Sequence, residues 1–113
     1  MNELEQVGQQ VLAGWQEAHG VNGGQVYTTC FGRDNLTVYL EDVLCLAEKE
    51  MAQRGQGQAL MERYVKELMQ QVCAEAMPEM ERKLGRSIAA ANIQVESASG
   101  NIICVFHLSP LYE

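Results

Sequence analysis

The side chains here whose chemistry goes beyond packing are two histidines, four cysteines, four serines late in the chain and an acidic run. His19 falls in a glycine-rich loop stretch and His107 on a strand, with no HxxxH, HxH or Cys/His grouping, so a zinc site of the usual ligand spacing is not indicated. Ser87, Ser97, Ser99 and Ser109 sit in turn and strand-edge sequence, and none occupies a G-x-S-x-G elbow. Glu41, Asp42, Glu48 and Glu50 form the densest acidic patch. Binding a hard cation or acid–base catalysis would need their oxygens to converge, but Glu48 and Glu50 stand two apart on a helical pattern and point in different directions. A solvated face is expected. No nucleophile, base and oxyanion donor assemble, so the expectation is a protein that is not an enzyme and carries no metal or cofactor.

Cys30, Cys45, Cys73 and Cys104 lie far apart, each in an apolar segment and with no CxxC among them. They read as reduced core thiols of a cytosolic protein. One further feature could bind a ligand. Gly55-Gln56-Gly57 precedes a helical pattern, and exposed amides there, with Arg54 or Arg63 supplying charge, would attract an anion. The plainer expectation is a helix-to-helix corner, since the P-loop Lys and spacing are absent.

The elements that must position these groups follow from periodicity. Asn2 and Glu5 have the form of a capping box, and Leu4, Val7, Val11, Trp15 and Ala18 make a narrow apolar stripe ending at Gly20. Packing on its own domain is expected for that helix. The alternative makes residues 1–20 an interaction element, with Leu4, Val11 and Trp15 as interface anchors. Gln25 to Phe31 and Leu36 to Glu41 alternate around Gly32-Arg33-Asp34-Asn35, a hairpin with one apolar face. Asp42 to Ala52 reads as a short helix with Leu46, Ala47 and Met51 inward and Glu48, Lys49 and Glu50 outward.

From Leu60 the apolar residues come in pairs every four positions (Leu60 and Met61, Tyr64 and Val65, Leu68 and Met69, Val72 and Cys73, Ala76 and Met77), the period of a long helix with one broad buried face. Pro78 either kinks it or starts a second helix, and Gly85 suits its end. A second hairpin closes the chain, turning at Ser97 to Asn101. On its last strand Ile102, Cys104, Phe106 and Leu108 face one way and Ile103, Val105 and His107 the other, so both faces are apolar. That strand is expected to be central and covered on both sides, or to meet another copy through Ile103 and Val105. The order gives an α+β fold: an N-terminal helix, then two hairpins forming a four-stranded, mainly antiparallel sheet, roofed by the long helix between them.

At 113 residues the chain has the size of one domain, 1–113. Fifteen acids against eight scattered bases give a net charge of −7, which repels phosphate backbones and argues against nucleic acid as a partner. The acidic, polar start is unlike a secretory signal, and the longest apolar runs fall far short of the roughly 20 residues a membrane span needs. A cytoplasmic protein with no direct membrane insertion is expected. The two-sided last strand predicts a homodimer.

Val43-Leu44-Cys45-Leu46-Ala47-Glu48-Lys49-Glu50-Met51, then Gly57, the long helix with Arg63, Leu84-Gly85 and a closing Val105-Phe106-His107-Leu108 resemble the small MpsC-like proteins over roughly Gly24 to Leu108. The resemblance implies a component of a cation-translocating system that generates membrane potential and has been linked to bicarbonate uptake. It matches Glu48 to the acid of the family's V-L-T-x-A-E run and Gly57 to the glycine before its long helix. Cys45 replaces the usual Thr, and Gln58 a common basic residue. Taken together, the reading is a non-enzymatic accessory or interaction protein, the partner of a membrane cation or bicarbonate transport system. A small-ligand regulatory module that binds an anion at Arg54, Gly55, Gly57 and Arg63 is the alternative, and a small enzyme the third.

Overall fold

The computed structural model describes residues 2–110. Seven elements follow in order: α1 (Glu3–His19), β1 (Gln25–Phe31), β2 (Asn35–Glu41), α2 (Leu46–Met51), α3 (Gln56–Leu84), β3 (Ile88–Glu96) and β4 (Asn101–Leu108). The strands form one antiparallel sheet in the order β1-β2-β4-β3. This is the expected α+β arrangement of two hairpins with the long helix between them. Both hairpins stay local, and the non-local step is the pairing of β2 with β4, which zips their central strands together.

Helix α1 begins where its cap predicts: Asn2 Oδ1 accepts from the Glu5 amide at 2.8 Å. Asn2→Ala should cost about 1 kcal/mol of stability in a denaturant titration, since it orphans that amide and little else. Val7, Val11, Leu12 and Trp15 are buried, so the helix packs on its own sheet rather than presenting its stripe outward. Gly8 is what lets it come close, because a Cβ there would run into the Thr28 side chain on β1. The helix ends on Gly20, which takes the left-handed conformation at φ 92°.

Helix α3 runs through Pro78 without interruption to Gly85, whose φ of 68° supplies the left-handed stop. Its buried stripe is Met61, Val65, Met69, Val72, Cys73, Ala76 and Met80. The broad face expected from the apolar pairs is therefore narrower than its sequence suggests, and Leu60 and Tyr64 are 62% and 53% exposed. The roof is shared: α1 packs on β1 and β2, while α3 packs on β3 and against α1. With half the sheet already covered, only one side of α3 finds a surface to bury.

The short helix also differs from expectation. It starts at Leu46, not Asp42, because Asp42 adopts a positive φ of 56° that breaks the helical path and turns the chain inward. Val43 then enters the core, its amide donating to the Gly100 carbonyl at 2.8 Å. Leu46, Ala47 and Met51 face outward, the reverse of the sequence expectation, with Leu46 70% exposed. The cysteines divide as well: all four are free, Cys73 and Cys104 lie in the core, and Cys30 on the edge strand and Cys45 at the corner are exposed.

Candidate functional site

Both helices lie on one side of the sheet, so its other side is open, and the register lays out that side as four rows. Gln25, Glu41, Asn101 and Glu96 form the first row; Tyr27, Tyr39, Ile103 and Gln94 the second; Thr29, Thr37, Val105 and Asn92 the third; Phe31, Asn35, His107 and Ala90 the fourth. Central β4 has Ile102, Cys104, Phe106 and Leu108 buried under the helices, as expected, while Ile103, Val105 and His107 on the open side are only half-buried. Phe31 is 74% exposed.

Polar side chains fix this surface. His107 Nδ1 lies 2.6 Å from Asn35 Oδ1 and its Nε2 lies 3.0 Å from Asn92 Nδ2, so both ring nitrogens are engaged across three strands. Asn101 Nδ2 donates to the Tyr39 hydroxyl at 2.7 Å. Desolvation, followed by the charges of Glu96 and Glu41, raises the Tyr39 pKa above that of an ordinary tyrosine. Only Glu41 and Glu96 carry charge among the sixteen side chains, in a chain with twenty-three charged residues. A charge-poor centre with aromatic and aliphatic groups is the composition of a protein-contact surface.

A second cluster ties α1 to α2. His19 is not in a loop: it is the last residue of α1, stacked on Trp15 with ring centroids 4.7 Å apart. Its Nε2 meets both carboxylate oxygens of Glu48 at 2.8 Å, and Glu48 also accepts from the Cys45 amide at 2.8 Å. Glu48 is thus turned inward, not part of the solvated face expected of it, with its side chain 14% exposed. Partial burial raises its pKa, but the His19 and Cys45 hydrogen bonds outweigh that and hold it below the ordinary carboxylate value. The Trp15 indole N–H donates to the Val43 carbonyl at 2.9 Å, tying down the segment that leads into α2. A histidine paired with a carboxylate resembles two-thirds of a catalytic triad. In this fold the contact joins the C-terminus of α1 to α2, with the second ring nitrogen, Nδ1, buried.

Of the residues named for an anion, Arg54 and Gly57 line one open groove of about 450 Å³ with Glu50 and Met51. The Gly57 amide donates to the Arg54 carbonyl at 2.7 Å and the Gln58 amide to the Gly55 carbonyl at 3.2 Å, so both are taken up by the backbone of a tight corner. Gly57 is needed for that closeness, since a Cβ would sit 2.8 Å from the Met51 carbonyl oxygen. Arg63 lies further along α3, exposed and paired with Glu67 at 3.3 Å. Of the residues expected to serve interaction, Glu48 among them as the acid matched to the family's run, Val11 and Trp15 are fully buried, Leu4 is partly buried against the core, Glu48 is turned in to His19, and Ile103 and Val105 share the open face. A groove of about 580 Å³ between α1 and α3 is lined by Ala13, Gly14 and Ala76 and flanked by Glu17 and Glu75.

Sequence reasoning missed the surface around α2. Leu46, Met51, Leu60 and Tyr64 are all exposed, on α2 and the first turns of α3. The spacing of Leu60 and Tyr64 was the available signal, because it puts them on one side of α3.

A family model, described as the Na+-translocating membrane potential-generating system (MpsC), matches residues 2–110. The chain belongs to the MpsC family. The match extends the resemblance seen from Gly24 to Leu108 to include α1, so the helix carrying Trp15 and His19 is part of the family's pattern. No curated protein and no solved structure matches the chain. Among its described residues, no helix is long and apolar enough to cross a membrane.

Proposed function

We propose that this MpsC-family protein is a non-enzymatic accessory subunit that works in the cytoplasm by docking on the membrane-embedded part of a cation-translocating, membrane-potential-generating system, with bicarbonate transport as one use of such an assembly. The observation that carries this reading is the family match, combined with large apolar side chains left exposed on α2 and the start of α3. Leu46, Met51, Leu60 and Tyr64 are apolar side chains that this fold leaves unburied and free for a partner. The non-enzymatic part is supported by what the histidines are doing: one is held by Glu48 and the other by Asn35 and Asn92, and neither lines the groove between α1 and α3. Four free thiols suit a reducing compartment.

The test is co-purification from mild-detergent extracts of native membranes, comparing the natural chain with Leu60→Glu and Tyr64→Glu. Both side chains are more than half exposed, so each variant should change stability by no more than about 0.5 kcal/mol. The natural chain should bring down integral membrane proteins of an ion-transport complex, and each variant should lose at least about nine-tenths of that recovery. Equal recovery from variants and natural chain would refute the assigned surface. Recovery of no membrane protein at all would refute the accessory role.

A further inference from the structure

The open side of the sheet has a direction. Its first row carries Glu41 and Glu96, and no base offsets them within the face; the nearby Asp42 is already neutralised by Lys49 at 2.7 Å. The fourth row carries His107, and the β1–β2 turn that extends this end holds exposed Arg33. Arg86 lies at the same end, its charge matched by Asp34 at 2.6 Å. One end of the face is therefore net acidic, while the other has no carboxylate on the face and is extended by the charge of Arg33, with a neutral middle.

We propose that two copies of this chain pair through their open sheet faces about a two-fold axis lying in the interface and running across the strands, which places the acidic row of each copy over the His107 row of the other. Two aligned packings are open to such a sheet, with the axis along the strands or across them. An axis along the strands would stack the first row on itself and bring four carboxylates together, two from each copy. An axis across the strands instead lays Glu41 and Glu96 over Asn35 and Ala90 of the second copy, away from its carboxylates and toward its Arg33 end. It also sets the bulky second row, with Tyr27, Tyr39 and Ile103, over the third row, with Thr29, Thr37 and Val105, so large side chains meet small ones. Charge and volume select the same arrangement.

The size of the face sets the strength. Strands of seven to nine residues and a spacing of about 4.8 Å give a patch of roughly 500 Å² per copy, near the lower bound for a specific interface. At that size the pairing is weak and concentration-dependent. It leaves α2 and the start of α3 free, so it stands or falls separately from the membrane-partner reading.

Sedimentation equilibrium of the full chain over a wide range of concentrations, up to the solubility limit, tests it. The natural chain should shift from monomer to dimer, and Val105→Glu, which puts a carboxylate at the centre of the face, should remain monomeric throughout. Should Val105→Glu lose its fold by circular dichroism, the exposed position 90 decides the matter. Ala90→Lys would stand beside Glu96 of the second copy and Ala90→Glu would repel it, so the lysine variant should dimerise at least about tenfold more tightly than the glutamate variant. A monomer at every concentration, or a dimer indifferent to Val105→Glu in its folded form, would overturn the proposal. So would equal dimerisation of the two Ala90 variants, which belongs to the other axis or to a different face.

Discussion

Trp15→Ala should remove about 4 kcal/mol of folding stability, the largest loss expected from any single truncation in this chain. The indole is the largest fully buried side chain, so its removal leaves a cavity that α1, pinned against β1 at Gly8, has little freedom to collapse. The same change strips the Val43 carbonyl of its donor and removes the surface on which His19 stacks. Against a total stability of about 5–15 kcal/mol for a domain this size, the variant should be only marginally folded at 37 °C. Trp15→Phe is the informative control. It keeps most of the packing and loses the indole N–H, so chemical denaturation should place it about 1–2 kcal/mol below the natural chain.

Glu48→Ala should cost about 2–3 kcal/mol, more than any other surface-proximal acid, because it breaks the charge-assisted contact with His19 and frees the Cys45 amide together. The pH dependence has a definite direction. Since the folded pKa of Glu48 lies below its ordinary value, its contribution is fully present above the unfolded value of about 4.3 and disappears as the pH falls through the lower folded value. The stability gap between the natural chain and Glu48→Gln, followed by urea titration, should thus narrow as the pH falls below the unfolded value of about 4.3. A gap that persists unchanged to pH 3 would mean that the His19 contact does not depend on the carboxylate charge.

These two residues also mark where the sequence stops being legible. Caps, hairpins and the central position of β4 could be read because their signals are local: an Asn three residues before Glu5, alternation with period two, a turn at Ser97 to Asn101. The His19–Glu48 pair joins residues 29 positions apart, and no spacing rule links a helix C-terminus to a later helix at that distance. For α2, local periodicity pointed the wrong way. Its apolar residues suggested an inward face, but the chain turns at Asp42 and the carboxylate of Glu48 is drawn in toward His19 instead.

Helix α3 illustrates a different limit. Pairing of apolar residues every four positions is compatible with a buried stripe on either member of each pair. Which member is buried depends on how much of the sheet α1 occupies, a tertiary fact absent from the α3 sequence. Val65 is buried and Tyr64 exposed because α1 takes the β1–β2 half of the roof. The exposed apolar groups on α2 and α3 were invisible for that reason, and they became the surface assigned to a partner. The open face, by contrast, was partly readable, since Ile103 and Val105 alternate with a buried set on a strand apolar on both sides.

The accessory role is tested most directly by a photoreactive amino acid placed at position 60, activated in native membranes, with the cross-linked partner identified by mass spectrometry. The account predicts adducts to an integral membrane subunit of an ion-transport complex, competed away by excess unlabelled natural chain. Label recovered only on soluble proteins, or on the chain alone, would contradict it.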